Sequence, residues 1–486
     1  MGPKDITARP SLARLTAAAY VGAMPPPRVP LLVALVAGWP LVAPAPTAAQ
    51  IPDSASPPWT PPAQRPWVAV AEVAAINVLV NRFDAWALQA DWAIGAGTKS
   101  WETNLRLGWE WDEDQFGTNM FAHPYHGGLY FNTGRSNGLD YWESAPLAFL
   151  GSWTWEYLGE SYRPSLNDFF MTSFGGIALG EMFHRVAASI RDNQARGSAR
   201  QLREFAALPL DPVGSFNRLI RGEWSARGPN PPEHDLGAFV LRVHAGAQLL
   251  ADSSDADTVR SAPSVLIDLR YGDPLIQPYR SPFDVFAVRL QTSAGSISQL
   301  RAAGRLFGKD LNAATARHRH LFTLNQRYDF VKNPAYQFGG QSIEAGLHSR
   351  WHLRGSFGIR TQAFVDAILL GALDAPKSGV GERIYDFGPG AGFRLEFALE
   401  RRGITYVTLY GRNEFVHTVS GASADHIVNI SGLEITVPIA WGLGVALHSE
   451  YYTRTSRYSD KAEVSREFPE ARLYLTWTSA WRPEGR

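Results

Sequence analysis

The second half of the chain alternates apolar and polar residues with a period of two. Over residues 343–353 the odd positions are mostly apolar, whereas the even positions include Glu344, His348 and Arg350. Residues 357–369 repeat the pattern. A period of two is that of a β-strand, in which successive side chains point to opposite faces. The alternation therefore predicts strands with one apolar face and one charged face.

The strand segments are about ten residues long or longer, the length that a tilted strand needs to cross a bilayer. About twelve of them fit between residues 236 and 481, and bacterial barrels prefer an even number. In lipid every backbone polar group must pair within the protein, so such a sheet must close. The sequence predicts a transmembrane antiparallel β-barrel. The alternative is a soluble β-sandwich or lipocalin-like barrel, whose strands are usually shorter and bury their apolar face.

The charges on the predicted inner face are of both signs, with a modest excess of arginine. An open lumen of this kind would favour anions weakly. The predicted inward charges are Arg242, Asp268, Arg270, Arg289, Arg301, Arg305, Glu344, Arg350, Arg360, Asp366, Arg394, Glu396, Arg412 and Glu414.

The first half of the chain has the pattern of helices rather than strands. Residues 68–86, 144–160 and 165–191 are the predicted helical segments, and Ser165 followed by Asp168 is a helix-capping pattern. The glycines near residue 176 would permit close packing against another element. We expect this helical module to lie in or under the barrel lumen as a plug, because its apolar helices need cover.

The N-terminus has the three parts of a secretory signal. Basic residues precede the apolar residues 31–42, and small residues lead to a predicted cleavage near Ala49. The predicted order is a signal peptide (1–49), a Pro/Ser-rich linker (50–66), the helical module (67–232) and the barrel (233–486). This order predicts the cell outer membrane, with outer-membrane lipid as a partner. The barrel-assembly machinery is a second expected partner, because the last strand ends in aromatic residues at Trp477 and Trp481.

Composition excludes some partners and some chemistry. The chain has 46 basic and 46 acidic residues and a formal net charge of +0, so no nucleic acid is expected as a partner. It has no cysteine, so neither disulfides nor thiolate metal sites form. Its 16 Trp, 17 Tyr and 25 Phe fit the aromatic belts of a membrane protein, although soluble domains can be as aromatic.

Polar residues that could carry chemistry are concentrated between residues 119 and 185, inside apolar sequence. Glu156 and Glu160 share one helix face, as do Glu181 and His184, which resembles half of a di-metal carboxylate site. A second Glu-x-x-His pair is missing, and other histidines would have to supply nitrogen ligands. The alternative is a network of buried ion pairs answered by arginine. The candidate residues are His123, His126, Arg135, Glu156, Glu160, Asp168, Glu181 and His184.

No cofactor is predicted, and a divalent metal ion is the candidate that the cluster leaves open. A serine hydrolase is also considered, with Ser349 beside His348, His352 and Glu344. Ser349 points to the opposite strand face from those three residues, which excludes them as a triad. Ser144, Ser152 and Ser165 are alternatives, but no Gly-x-Ser-x-Gly elbow supports them.

Six ordered motifs carry a resemblance to a known family. They are Asn119, His123-Pro124-Tyr125 with Gly127, Gly134-Arg135 with Gly138, Trp155 to Glu160, Pro164 to Asp168, and Gly175 to Glu181. The run resembles a family of bacterial envelope proteins known as a domain of unknown function. The resemblance implies an exported protein with a β-rich C-terminal part, and it implies no activity.

Two classes of function remain open. The first is a non-enzymatic envelope protein, a plugged barrel that serves transport or envelope structure. The second is a membrane-embedded enzyme that modifies lipid or glycolipid through the His/Glu cluster, with or without a metal. Convergence of His123, His126, Glu156 and Glu181 would favour the enzyme, whereas closed arginine–carboxylate pairs would favour the first class. The sequence identifies no small-molecule ligand.

Overall fold

The computed structural model describes residues 60–112, 116–232, 239–252, 255–312, 318–353, 356–375, 385–401 and 404–481. The predicted signal peptide and most of the predicted linker lie outside these ranges. Within them, no helix combines the length and the apolar character needed to cross a bilayer.

Helices occupy residues 66–220, and three segments of π-helix interrupt them. The elements are α1 (Pro66–Ala87), α2 (Asp91–Ile94), α3 (Thr98–Leu107), π1 (Thr118–Ala122), α4 (His123–Ser136), α5 (Tyr141–Thr154), π2 (Trp155–Gly159), α6 (Leu166–Phe170), π3 (Met171–Gly175), α7 (Gly176–Ile190), α8 (Gly197–Ala207) and α9 (Pro212–Ile220). Ser165 caps α6 by accepting a hydrogen bond from the backbone N–H of Asp168, as its capping pattern predicts.

The described residues from 239 onward form a closed antiparallel barrel of twelve strands, which confirms the predicted fold class. Each strand pairs with its neighbours in the chain, and β1 pairs with β12 to close the sheet. The strands are β1 (Phe239–Asp252), β2 (Asp255–Tyr271), β3 (Phe286–Ser293), β4 (Ser296–Asp310), β5 (His318–Lys332), β6 (Gln337–His352), β7 (Phe357–Asp374), β8 (Tyr385–Arg401), β9 (Ile404–His417), β10 (Ala424–Ala440), β11 (Leu443–Tyr458) and β12 (Val464–Trp481).

Ion pairs between strands that are not neighbours identify the inner face. Arg289 on β3 contacts Glu434 on β10 at 2.6 Å, and Arg412 on β9 contacts Asp329 on β5 at 2.7 Å. Such pairs can form only across the lumen. Because side chains alternate along a strand, the residues next to these in sequence point outward.

The helices pack against the outer face of the barrel, not in or under the lumen as predicted. Gln326 points outward, and its side chain accepts a hydrogen bond from the Tyr141 hydroxyl at 3.0 Å. It also donates to the backbone carbonyl of Phe174 at 2.7 Å. Outward-facing Ala302 and Tyr328 share an apolar cluster with residues of α4, α5 and α7. The reason is physical: the charged inner face offers apolar helices nothing to pack on, whereas the outer face is apolar.

The module covers only part of the outer wall. Outward residues beneath it are buried, as Tyr328 and Phe387 show at 0% exposed. Away from it, outward residues are open: Val365 is 65% exposed and Leu475 is 70% exposed. The outer wall therefore has a sector covered by helices and a sector of bare apolar side chains.

Glycines bring α4 and α7 into close contact inside the module. A Cβ atom on Gly127 would lie 1.8 Å from the carbonyl oxygen of Thr172, and one on Gly176 would lie 2.5 Å from the Cα of Gly127. One turn further on, a Cβ on Gly180 would lie 3.1 Å from the Cα of Gly128. Small residues at such a crossing let helix backbones approach, which confirms the close packing expected near residue 176.

The Gly127 crossing predicts a large effect of adding a side chain. Gly127→Val should destabilise the protein by at least ~1–3 kcal/mol, because the added atoms meet backbone that cannot move aside. The measurement is the urea midpoint for loss of the folded, heat-modifiable band in gel electrophoresis. Gly117→Ala is the matched control, since a Cβ there meets nothing within 4 Å. Equal midpoints for the two variants would contradict the crossing.

Candidate functional site

The sequence-predicted candidates are divided among separate places in the module. His123, Asp168 and Glu156 lie near one another, as do His126 and Glu160. Arg135 and Glu181 form a second group, and His184 belongs to a third. All are at helix–helix contacts of the module rather than at the lumen.

The first group is built on polar side chains at the start of α4, in π2 and in the first turn of α6. The Asn167 side-chain amide donates to the Asp112 and Asp168 carboxylates, at 2.9 Å each. His123 Nε2 lies 3.5 Å from Asp168 Oδ1. The Glu156 carboxylate accepts a hydrogen bond from the backbone N–H of Ser165 at 2.8 Å. The group thus fixes the start of α6 against α4 and π2.

The three π-helical segments position this group. His123 follows π1 directly, Glu156 lies within π2, and Asp168 precedes π3 by three positions. A π-segment inserts one extra residue per turn, which rotates the side chains after it relative to a regular α-helix, and such segments are frequent at functional sites. The sequence pattern does not reveal them, because residues 144–160 and 165–191 each look like one continuous helix.

His126 and Glu160 are held by aromatic residues. The Tyr130 hydroxyl lies 2.8 Å from His126 Nε2, and the Trp155 indole N–H donates to Glu160 at 2.5 Å.

The second group joins the module to the barrel. Glu181 on α7 is 0% exposed and contacts Arg135 Nε at 2.8 Å and Arg185 Nε at 2.7 Å. Arg185 also donates to the Ser281 hydroxyl and the Pro282 carbonyl in the connection between β2 and β3. Glu181 is thus the centre of an ion-pair group that reaches across the module–barrel contact.

Of the third group, the sequence analysis singles out only His184. His184 Nδ1 lies 3.3 Å from Asp211 Oδ2, and Arg191 donates to the same carboxylate at 3.0 Å. Buried Glu204 contacts Arg200 at 3.1 Å. The three predicted helical segments end at residue 191 and so omit α9, which Asp211 caps by accepting from the Gly214 N–H. Asp211 before Pro212 was the signal for that helix start.

The positions of these side chains bear on two hypotheses, a metal site and a serine triad at Ser349. Among the described residues, no three His, Asp or Glu side chains are grouped as a metal ion requires. The Ser349 hydroxyl lies 2.8 Å from His320 Nδ1, a partner on β5 rather than the neighbouring histidines of β6.

The barrel lumen is the other place where charge is concentrated. A cavity of about 230 Å³ is lined by charged residues from β2 to β10, including Arg270, Arg289, Arg360, Glu396 and Glu434. The alternation assigns Arg270, Arg289, Arg360 and Glu396 to the inner face, and Glu434 pairs with Arg289. Arg289 pairs with Glu434 across the lumen, and Arg360 pairs with Glu396 on the neighbouring strand.

Part of the chain matches a known protein family. Residues 108–213, the range in which the six motifs lie, match a family described as "Domain of unknown function (DUF3943)". Curated proteins give no match. The match runs from π1 through α8 to the start of α9, so it lies within the helical module and does not extend into the barrel.

Solved structures that resemble the chain are outer-membrane proteins. In-vitro folded OmpT of Vibrio cholerae is 10% identical, with 50% of this chain and 96% of that chain covered and a TM-score of 0.22. OccAB2 of Acinetobacter baumannii is 9% identical, with 50% of this chain and 98% of that chain covered and a TM-score of 0.19. The β domain of the Bordetella autotransporter BrkA is 14% identical, with 50% of this chain and 99% of that chain covered and a TM-score of 0.19. At these identities and TM-scores the likeness adds nothing to the fold that the strand order establishes.

The Glu181 group predicts a stability effect. Glu181→Gln should lower the free energy of unfolding by ~3–5 kcal/mol, because it leaves two buried guanidinium groups without their shared carboxylate. Urea unfolding followed by the heat-modifiable band measures it. Glu102→Gln, on the exposed face of α3, should change stability by less than ~0.5 kcal/mol. A Glu181→Gln variant as stable as the control would show that the group contributes nothing.

Proposed function

We propose that this protein is a non-conducting outer-membrane barrel that anchors the helical module in the bacterial outer membrane, a role in envelope structure rather than transport. The observation that carries the proposal is the obstructed lumen. Ion pairs cross its centre beside the cavity of about 230 Å³, and apolar side chains occupy one end.

The ion pairs at the centre cross the lumen in several directions. Arg327 on β5 donates to Asp366 on β7 at 2.9 Å and to Glu414 on β9 at 2.8 Å. Arg394 on β8 contacts Glu344 on β6 at 3.0 Å. Each pair joins strands that are not neighbours in the sheet, so a solute crossing the lumen would have to separate charges that are buried and matched.

The apolar cluster lies at the barrel end opposite Phe239, where β1 begins. Its side chains point inward from six strands and the connection between β5 and β6. They are Val331, Ala335, Tyr336, Phe338, Ile368, Leu373, Val416, Val428, Ile430 and Tyr452. An apolar constriction of this kind opposes the passage of water and ions.

Membrane placement is supported by the bare sector of the outer wall. Leu395, Leu409 and Ile439 point outward and are 54%, 56% and 70% exposed. An apolar surface this continuous is stable against lipid and unstable in water. Insertion through the barrel-assembly machinery is part of the proposal and is motivated by the aromatic end of β12.

The candidate residues serve the module as structural ion pairs and hydrogen bonds in this proposal. The arginine–carboxylate pairs at Glu181 and Asp211 are the kind of arrangement that favours the non-enzymatic class. No contact among the described residues favours the enzyme over the structural role.

Conductance across planar bilayers tests the proposal. The full-length protein, purified in its heat-modifiable form, should give no regular current steps. A triple variant Phe338→Ala, Val428→Ala and Ile430→Ala removes bulk from the constriction and should raise the ion leak above wild type. The control is Leu395→Ala, Leu409→Ala and Leu475→Ala on the outer wall, which should not. Regular single-channel steps from the wild-type protein would overturn the non-conducting role.

A further inference from the structure

The helical module has a large apolar surface of its own, on the side away from the barrel. Along α1 the exposed side chains recur every three or four positions, as one helix face requires. Val78, Leu79 and Phe83 are 61%, 68% and 57% exposed, and the tryptophans near the two ends, Trp67 and Trp86, are 83% and 81% exposed.

Other helices extend this surface. On α8, Leu202 and Phe205 are 54% and 58% exposed. On α9, Phe216, Leu219 and Ile220 are 59%, 51% and 63% exposed. A soluble module would not leave a contiguous apolar surface of this extent in water.

Most charged groups of these helices turn the other way, although Arg82 of α1 is exposed. Glu72 of α1 faces the module interior, where it accepts hydrogen bonds from Asn137 and Asn217 at 2.8 and 3.2 Å. Glu204 and Asp211 are both 0% exposed. The surface formed by α1, α8 and α9 therefore carries mainly apolar side chains, and most charges of these helices are paired inside, the reverse of a surface that faces water.

The position of the module along the barrel wall determines what surrounds it. Near one end of the barrel, outward-facing Phe239 and Tyr271 belong to the apolar cluster that the module covers. Near the opposite end, Ala372 and Phe387 pack with Met120 of π1. The module thus lies along the wall from one end of the strands to the other. Any medium that contacts the bare sector of the wall must also contact the module.

We propose that the helical module lies in the outer membrane beside the barrel wall, with the apolar surface formed by α1, α8 and α9 in contact with lipid acyl chains. The occupant is lipid because the surface is apolar like the bare sector of the wall beside which the module lies, and because tryptophan at both ends of α1 is typical of side chains at membrane interfaces. The close glycine crossing of α4 and α7 is also typical of helices packed within lipid. This inference rests on the membrane placement in the proposed function.

Site-directed spin labelling of the full-length protein tests it. The chain has no cysteine, so single cysteines at Leu79, Phe216, Leu475 and Asp460 carry the label without a background. Vesicles of phosphatidylethanolamine and phosphatidylglycerol hold the protein. Leu475 reports the bare barrel wall, and Asp460, in the turn between β11 and β12, reports water. The measurement compares label accessibility to oxygen, which partitions into hydrocarbon, with accessibility to a polar nickel chelate.

Labels at Leu79 and Phe216 should match the label at Leu475, with an oxygen-to-nickel ratio roughly tenfold above that at Asp460, since polar solutes are excluded from hydrocarbon. A water-like ratio at Leu79 and Phe216 beside a lipid-like ratio at Leu475 would overturn the inference and leave the barrel placement intact. Labels shielded from both reagents would overturn it in favour of a second copy or another protein. A water-like ratio at Leu475 would overturn the proposed membrane placement itself.

Discussion

Charge pairing inside the barrel is the constraint on which the rest of the structure depends. Arg327 is buried and contacts four carboxylates, those of Asp329, Glu344, Asp366 and Glu414, at 2.7 to 3.3 Å. Burying a guanidinium and its partners is favourable only when nearly every hydrogen bond is satisfied. A lumen centre organised this way has little apolar surface to offer, so the helical module packs outside.

The outer position of the module accounts for features that are unusual in isolation. Some outward residues that an ordinary barrel would present to lipid as apolar side chains are instead small or polar where helices contact them. Gly339 accommodates Met120, since a Cβ there would lie 2.1 Å from its sulfur, and Gln326 and Gln341 are buried beneath the module. The exposed apolar face of α1 follows from the same arrangement, because a helix on the wall shares the surroundings of the wall.

The barrel could be predicted from the sequence because its evidence is local: alternation gives the strands, and charges such as Glu344 and Arg394 give the inward face. The position of the helices could not be predicted in this way, because it depends on whether the inner or the outer face of the barrel accepts apolar helices. A signal existed, since Gln326, Gln341 and Gly339 interrupt an apolar face, but alternation alone does not separate lipid from protein. At the site, the cluster predicted His123 and Asp168 as neighbours, whereas Asp211 and Glu204 lie too far along the chain for helical spacing to link them.

Disulfide formation between an engineered pair tests the outer position most directly. Met120→Cys with Gly339→Cys joins π1 to an outward position on β6, and Met120→Cys with Phe338→Cys joins it to the adjacent inward position. In the folded full-length protein, mild oxidation should cross-link the Gly339 pair and leave the Phe338 pair reduced, with a shifted band on a denaturing gel as the readout. Efficient cross-linking through Phe338 and none through Gly339 would mean that the module lies in the lumen, and would contradict the account.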